Sequence, residues 1–171
     1  MEKYRTLLPR FCAIILDIIL LLPLGIITEL IKGAEFSQEA KFALLLAVNL
    51  AQTTYFIVMH GLFGQTVGKM LMKVRVLDVV SESAIKFRQA FIRDLPQLLF
   101  TIGSFIFLYP LSPDQIDPNS PDYWKNPIFV LMFVWGVSDA LAVLTNDKRR
   151  ALHDYLAGTV VVRIEQNPDM R

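Results

Sequence analysis

Two carboxylates lie inside long apolar stretches, where an ionisable group is costly and needs a partner or a purpose. Asp17 is the only charged residue in residues 11–28, and Asp139 is the only one in residues 128–144. If both stretches are helices that cross a membrane in opposite directions, the two carboxylates lie at nearly the same depth. An intramembrane carboxylate costs at least ~2.5 kcal/mol on insertion scales and normally faces a partner, a bundle interior or water. The pattern indicates ion or proton binding, or a structural ion pair, and the residues leave both open.

Three further charged residues lie close to the ends of apolar stretches. Arg10 precedes Asp17 by seven residues and shares its helix face, whereas Arg93 and Asp94 are adjacent at the start of another stretch. Side chains lean toward the N-terminus of a helix, so a direct Arg10–Asp17 pair would be stretched. Arg93, from a neighbouring helix, is the alternative partner for Asp17. We therefore take all five residues as candidates for ligand binding or for ion and proton relay.

Polar residues also recur at helical spacing in two of the apolar stretches. They are Asn49, Thr53 and His60 in one stretch, and Asp94, Gln97, Thr101 and Ser104 in the other. Such stripes either line a hydrated interior or join helices through hydrogen bonds, each contributing about 0.6 kcal/mol.

Several motifs that would indicate an enzyme or a metal site are incomplete. The segment Gly64–Lys69 resembles a phosphate-binding loop but has three residues between its glycines, and Met70 follows the lysine. His60 and His153 lack a third ligand at useful spacing for zinc, and no hydrolase motif occurs. We therefore expect no enzymatic activity, no metal and no cofactor.

The elements that must position these residues are membrane helices. Of the 171 residues, 54% are apolar and only 19% are charged, which is too apolar for a soluble domain of this length. A hydrocarbon core of about 30 Å takes around 20 helical residues to cross. The sequence predicts an all-α membrane protein with one domain over residues 1–171, and with spans at about residues 11–31, 42–59, 94–110 and 128–144. A net charge of +1 gives no reason to expect nucleic-acid binding.

The basic residues predict how the chain is oriented. Most of the 17 Lys and Arg residues lie before the first span, between the second and third, or after the fourth. By the positive-inside rule, both termini, residues 61–93 and the tail 146–171 are cytoplasmic. The chain is therefore expected to cross the bilayer several times.

The cytoplasmic segments also contain predicted structure. Residues 73–79 and 158–164 are rich in β-branched residues, and we expect them to pair as a two-stranded β ribbon. Residues 86–93 place Phe87, Ala90 and Phe91 at helical spacing, which predicts a short amphipathic helix at the membrane interface.

An arginine and an aspartate at the first span, a glycine-rich segment and a His-Asp segment occur in a characteristic order. In chain order, the residues are Arg10, Asp17, Gly64–Lys69, Val74–Asp78, Arg93 and Arg149–Val162. This arrangement resembles the RDD family of prokaryotic membrane proteins, named after an Arg and two Asp. The resemblance implies that Arg10 and Asp17 are the Arg and the first Asp, and that Asp154 or Asp139 is the second. It also implies transport of an unidentified ligand, with exchange of cations for protons as one form.

If Asp154 is the second family aspartate, it would serve as a structural latch together with His153. It would then pair with Arg75, Arg88 or Arg93 and hold the ribbon against the helices.

Two functions follow from these expectations. The first is a small transporter of a monovalent cation or proton that uses Asp17, and because four helices form a thin wall around a pathway, it predicts a homo-oligomer. The alternative is a non-transporting membrane scaffold that acts through its ribbon and basic helix, with Arg10 and Asp17 as structural pins. In both cases the lipid bilayer is the first partner.

Overall fold

The computed structural model describes residues 2–108 and 127–164, which form helices and one small sheet. A single 3-10 turn, Glu2–Tyr4, precedes the first helix. The elements that follow are α1 (Leu7–Gly33), α2 (Gln38–Phe63), α3 (Val67–Leu71), β1 (Val74–Asp78), α4 (Phe87–Leu108), α5 (Pro127–Leu144), α6 (Leu152–Ala157) and β2 (Thr159–Arg163).

Four of these helices, α1, α2, α4 and α5, are long and apolar enough to cross a membrane. They contain the four predicted spans, which are therefore confirmed as helices, except that residues 109–110 of the third span lie outside the described residues. Neighbouring helices pack in sequence, with α1 against α2, α2 against α4, and α4 against α5. The start of α1, the end of α2, the start of α4 and the end of α5 consequently lie together.

The prediction of a separate interfacial helix over residues 86–93 is wrong. Those residues form the first turns of α4, which continues without interruption to Leu108. No glycine or proline occurs between Phe87 and Leu95, so nothing ends the helix there. Pro96 removes only one backbone hydrogen bond, a loss that long apolar helices tolerate. Among the residues that the structure describes, the short α-helices are instead α3 and α6.

The predicted ribbon is confirmed. β1 and β2 pair antiparallel, with Val74 opposite Arg163 and Asp78 opposite Thr159. Val74, Val76 and Val161 are fully buried and pack with Ile85 and Ala90 near the start of α4. This small apolar core fixes the ribbon against the end of the helix bundle, which we call the ribbon end.

Candidate functional site

A cluster of ionisable side chains lies at the ribbon end, where the ends of the four long helices meet. We call this cluster the charge network, and its members come from six helices. They are Arg10, His60, Lys69, Arg93, Asp94, Asp139, His153 and Asp154.

Asp154 is fully buried and joins two guanidinium groups. Arg10 donates from Nη1 to Asp154 Oδ2 at 2.9 Å, and Arg93 donates from Nε to Oδ1 at 3.0 Å. The Thr159 hydroxyl and the Ala151 backbone N–H donate at 3.1 and 3.2 Å, so both carboxylate oxygens have several donors. A buried carboxylate is tolerated only when it is compensated in this way.

These contacts decide the protonation of Asp154. Burial alone would raise the pKa of this carboxyl group, but the positive charges of Arg93 and Arg10 and the hydrogen bond from the Ala151 backbone N–H outweigh burial. The pKa of Asp154 therefore lies well below its usual value, and the side chain is a carboxylate at neutral pH.

The local fold explains how Asp154 reaches this position. It lies in the first turn of α6, where its side chain caps the Ala151 N–H at the helix start. Gly158, with φ of +64°, ends the helix in a left-handed conformation and turns the chain directly into β2. The expected latch contact with Arg93 is present, whereas the described contacts of Asp154 include neither Arg75 nor Arg88.

His60 connects a carboxylate on α4 to two basic groups. Its Nδ1 lies 2.7 Å from Asp94 Oδ2, while its Nε2 lies 2.6 Å from Lys69 Nζ and 2.9 Å from Arg93 Nη1. An arginine nitrogen only donates hydrogen bonds, so Nε2 must accept. The ring proton is consequently on Nδ1, which donates to Asp94, and the imidazole is neutral.

His153 repeats this arrangement on the other side of Arg93. Its Nδ1 lies 2.8 Å from Asp139 Oδ1, and Arg93 donates from Nη2 to its Nε2 at 2.9 Å. The His153 backbone N–H also donates to Asp139, at 3.1 Å. The second imidazole is therefore neutral as well, and Arg93 links both rings.

Asp17 lies apart from the charge network. It is 4% exposed and accepts three hydrogen bonds, from the Tyr55 hydroxyl at 3.1 Å, the Thr66 hydroxyl at 2.5 Å and the Gly68 backbone N–H at 2.8 Å. These donors belong to α2 and to the first turn of α3, because α3 folds back against α1. The carboxylate therefore accepts a hydrogen bond from one of the otherwise unpaired N–H groups at the start of α3.

The expected partners of Asp17 are thus wrong. Arg10 and Arg93 both bind Asp154 instead, and Asp139, which was predicted to lie at a similar depth, binds His153. Arg10 turns away because its side chain leans toward the start of α1, where α6 offers a fully buried carboxylate. Four of the five relay candidates, namely Arg10, Arg93, Asp94 and Asp139, are brought together, and Asp17 is not.

The glycine-rich segment that precedes β1 serves packing. A Cβ atom on Gly68 would overlap the Ala13 carbonyl and crowd the Asp17 carboxylate, so only glycine allows α3 to approach α1 this closely. Gly64 ends α2 in a left-handed conformation, with φ of +69°.

Sequence reasoning missed two members of the charge network. His60 was visible as part of a polar stripe, but its partners were not, and Lys69 belonged to a segment that fails as a phosphate loop. The rest of the stripes mostly bond within their own helices: Asn49 donates to Leu45 O and Ser104 to Phe100 O. Between the stripes, Thr53 and Thr101 meet at 3.5 Å.

The charge network combines three carboxylates, three basic groups and two neutral imidazoles. Continuous hydrogen bonds run from Asp94 through His60, Arg93 and His153 to Asp139. An imidazole placed between an acid and a base is suited to accept a proton on one nitrogen and release one from the other. The same contacts also fasten the C-terminal segment to the helix bundle.

The chain matches the family model described as the RDD family over residues 4–158. It is also similar to an uncharacterized protein of Rickettsia prowazekii (strain Madrid E), with 26% identity over 137 residues. That match covers 79% of this chain and 58% of the Rickettsia protein, so the chain spans little more than half the length of this relative. No solved structure matches.

Proposed function

This chain belongs to the RDD family, and on that premise we propose that it is a small membrane transporter that exchanges a monovalent cation for protons at the charge network. Family membership and the four apolar helices indicate an integral membrane protein. The observation that carries the proposal is the pair of neutral imidazoles inserted between carboxylates and basic groups.

A latch alone would not need those imidazoles. Asp154 already binds Arg10 and Arg93 directly, which fastens α6 to α1 and α4. Placing His60 between Asp94 and Lys69 adds a ring with one donating and one accepting nitrogen, so a proton taken up on Nε2 can be matched by one released from Nδ1. Protonation of either imidazole would put a cation against Arg93 and force its guanidinium contacts to rearrange, which couples proton uptake to movement of the helices.

In this proposal Asp17 positions α3 and does not carry the ion. Its three hydrogen-bond donors satisfy it within the protein, and it is nearly inaccessible. The transporter is a homo-oligomer, since four helices leave little room for a pathway. Residues 1–171 form one domain in the prokaryotic inner membrane, with both termini cytoplasmic, and no enzymatic step or nucleic-acid partner is involved.

Reconstitution into proteoliposomes tests the proposal. With an imposed pH gradient, the protein is expected to drive movement of Na⁺ or K⁺, and His60→Gln and His153→Gln are expected to reduce that flux at least tenfold. Ser104→Ala is the matched control, because the Ser104 hydroxyl bonds within α4, to Phe100 O, and to Met132 Sδ across the helices, outside the charge network. Each variant is first shown to be folded by its thermal transition. Full flux in both histidine variants would contradict the proposal.

A second candidate, a non-transporting accessory protein, is favoured by a different observation. Val80, in the turn that follows β1, is 89% exposed, which is unusual for a valine next to a strand that is fixed by a buried core. A partner protein that covers the turn would explain this exposure. The accessory role predicts that the purified protein moves no ion, and that Val80→Ser reduces co-purification of the partner without changing thermal stability.

A further inference from the structure

We infer that Lys69 is a proton-binding site whose side chain is a neutral amine at neutral pH. The inference concerns the charge network, but it holds whether or not the protein transports ions. It assigns to Lys69 a role as proton acceptor that its place in an incomplete phosphate-loop pattern does not indicate.

The close partner of the Lys69 side chain is an imidazole. Its Nζ lies 2.6 Å from His60 Nε2. Among the described residues, no carboxylate oxygen lies within 4.0 Å of this nitrogen, although three aspartates belong to the same network. A charged ammonium here would have a neutral acceptor as its close partner.

Lys69 shares this acceptor, His60 Nε2, with Arg93. His60 Nε2 also receives a hydrogen bond from Arg93 Nη1 at 2.9 Å, and a neutral imidazole has one lone pair on that nitrogen. The Arg93 guanidinium does not lose its proton in proteins. Two cations converging on one lone pair repel each other, and the repulsion is relieved when Lys69 gives up its proton.

The helices packed around the Lys69 amine supply both negative and positive groups. The carboxylates that face it are Asp94 from α4 and Asp154 from α6, and both already bind other groups of the network. The other charged groups are Arg93 from α4 and Arg10 from α1, with neutral His60 from α2 and His153 from α6. Burial lowers the pKa of Lys69, Arg93 lowers it further, and the two carboxylates do not restore it, so that it lies well below its usual value.

The hydrogen bonds around Asp17 hold Lys69 in this position. Gly68 donates its backbone N–H to Asp17, and Lys69 donates its own backbone N–H to the Thr66 hydroxyl, which also binds Asp17. The Asp17 site thus fixes α3 and directs the Lys69 side chain toward His60. A flexible lysine would swing to solvent, whereas this one is positioned by a buried carboxylate.

Acylation of the lysines at a series of pH values tests the inference directly. The full-length protein in lipid nanodiscs is treated briefly with acetic anhydride, and modification of Lys69 is quantified by peptide mass spectrometry. A model amine, Nα-acetyl-lysine, serves as the reference. The midpoint for Lys69 is expected more than one pH unit below that of the reference, whatever its absolute rate. A midpoint equal to or above the reference would overturn the inference.

The pH dependence of stability gives a second test, which needs no reagent to reach the amine. Between the lowered pKa of folded Lys69 and the ordinary pKa of the unfolded chain, the unfolded state binds one more proton, so stability rises with pH. Lys69→Met removes this dependence, which amounts to a tenfold change in the unfolding constant per pH unit. Lys73→Met, at an exposed lysine, is the matched control and leaves the dependence unchanged. An unaltered pH dependence in Lys69→Met would also overturn the inference, and neither test depends on ion flux.

Discussion

At the scale of single residues, Arg93 is the centre of the charge network. Each of its side-chain nitrogens has a different partner: Nε binds Asp154, Nη1 binds His60 and Nη2 binds His153. A planar guanidinium presents its donors in a fixed fork, which a lysine ammonium does not reproduce. The identity of this residue therefore matters as much as its charge.

Arg93→Lys keeps the positive charge but is expected to destabilise the folded protein by about 1–3 kcal/mol for each buried partner that is left unsatisfied. A lysine retains at most one of the three contacts and leaves the others unsatisfied. Denaturation of the detergent-solubilised protein measures the loss. Arg88→Lys, an exposed arginine one and a half turns earlier on α4, is the control and leaves the transition unchanged. A variant of Arg93 as stable as that control would show that the fork geometry is unimportant.

The lowered pKa of Asp154 determines how the stability of the folded protein responds to acid. Because the folded state lowers its pKa, this carboxylate stabilises the protein fully above the ordinary carboxyl pKa of about 4, and the contribution is lost as pH falls through the lowered value. Thermal scans from neutral pH downward are therefore expected to show a steeper decline for the natural chain than for Asp154→Asn. Asp147→Asn, at an exposed acid, is expected to decline like the natural chain. Parallel curves for all three would refute the assignment.

At the scale of elements, α3 links the two polar sites. It is five residues long, too short to be stable alone, and is held by Asp17 at its start and by Gly68 against α1. Its last residues then connect directly to the ribbon. The element has little stability of its own and depends on these two positions.

Gly68→Ala is expected to destabilise the protein by about 1–3 kcal/mol, because the added methyl group would overlap the Ala13 carbonyl and α3 would have to move. Gly136→Ala on α5 is the matched control, since nothing lies within 4 Å of a Cβ there. That substitution is expected to be neutral or slightly stabilising in a helix interior. Equal transitions for the two variants in thermal denaturation would contradict the close packing of α3.

Asp17→Asn is expected to loosen α3 selectively. The amide keeps one acceptor oxygen but turns an NH₂ group toward the donors of Thr66, Gly68 and Tyr55. Faster hydrogen exchange at the backbone amides of residues 66–72 would show this, while the ribbon pairs from Val74 onward stay protected. Unchanged exchange across α3 would argue against the pinning role.

Parts of this architecture could be predicted from the sequence because their signals are local. Hydropathy locates four helices, and the β-branched runs locate both strands of the ribbon. The partners of Asp17 could not be predicted, since they lie on a five-residue helix with no periodic signal. The Arg10–Asp154 pair joins residues 144 positions apart, and a single sequence does not reveal which distant charges meet.

At the scale of the whole molecule, the buried polar contacts of the described residues are concentrated at one end. The charge network, the ribbon and the start of α1 all lie at the ribbon end, whereas large exposed apolar residues such as Leu8, Ile18 and Ile26 follow the length of α1. Such a distribution suits a protein whose helices contact lipid and whose ribbon end faces one aqueous compartment.

The positive-inside prediction places that compartment in the cytoplasm. A single cysteine at Ser81, in a chain in which Cys12 is replaced by serine, is expected to react with an impermeant maleimide only after the cells are permeabilised. Ser81 is exposed in the turn that follows β1, so a reagent on the same side of the membrane as the ribbon end can reach it. Labelling of intact cells would place the ribbon end outside.

The central carboxylate of the charge network also has a consequence for biosynthesis. Arg10 and Arg93 are synthesised before the aspartate that pairs with both, because Asp154 lies on α6. While the ribosome is still extending the polypeptide, two guanidinium groups stand beside the bilayer without their counter-ion. The charge network therefore forms only after α6 has been synthesised, and a translation product truncated before residue 154 is expected to be recognised by membrane quality control.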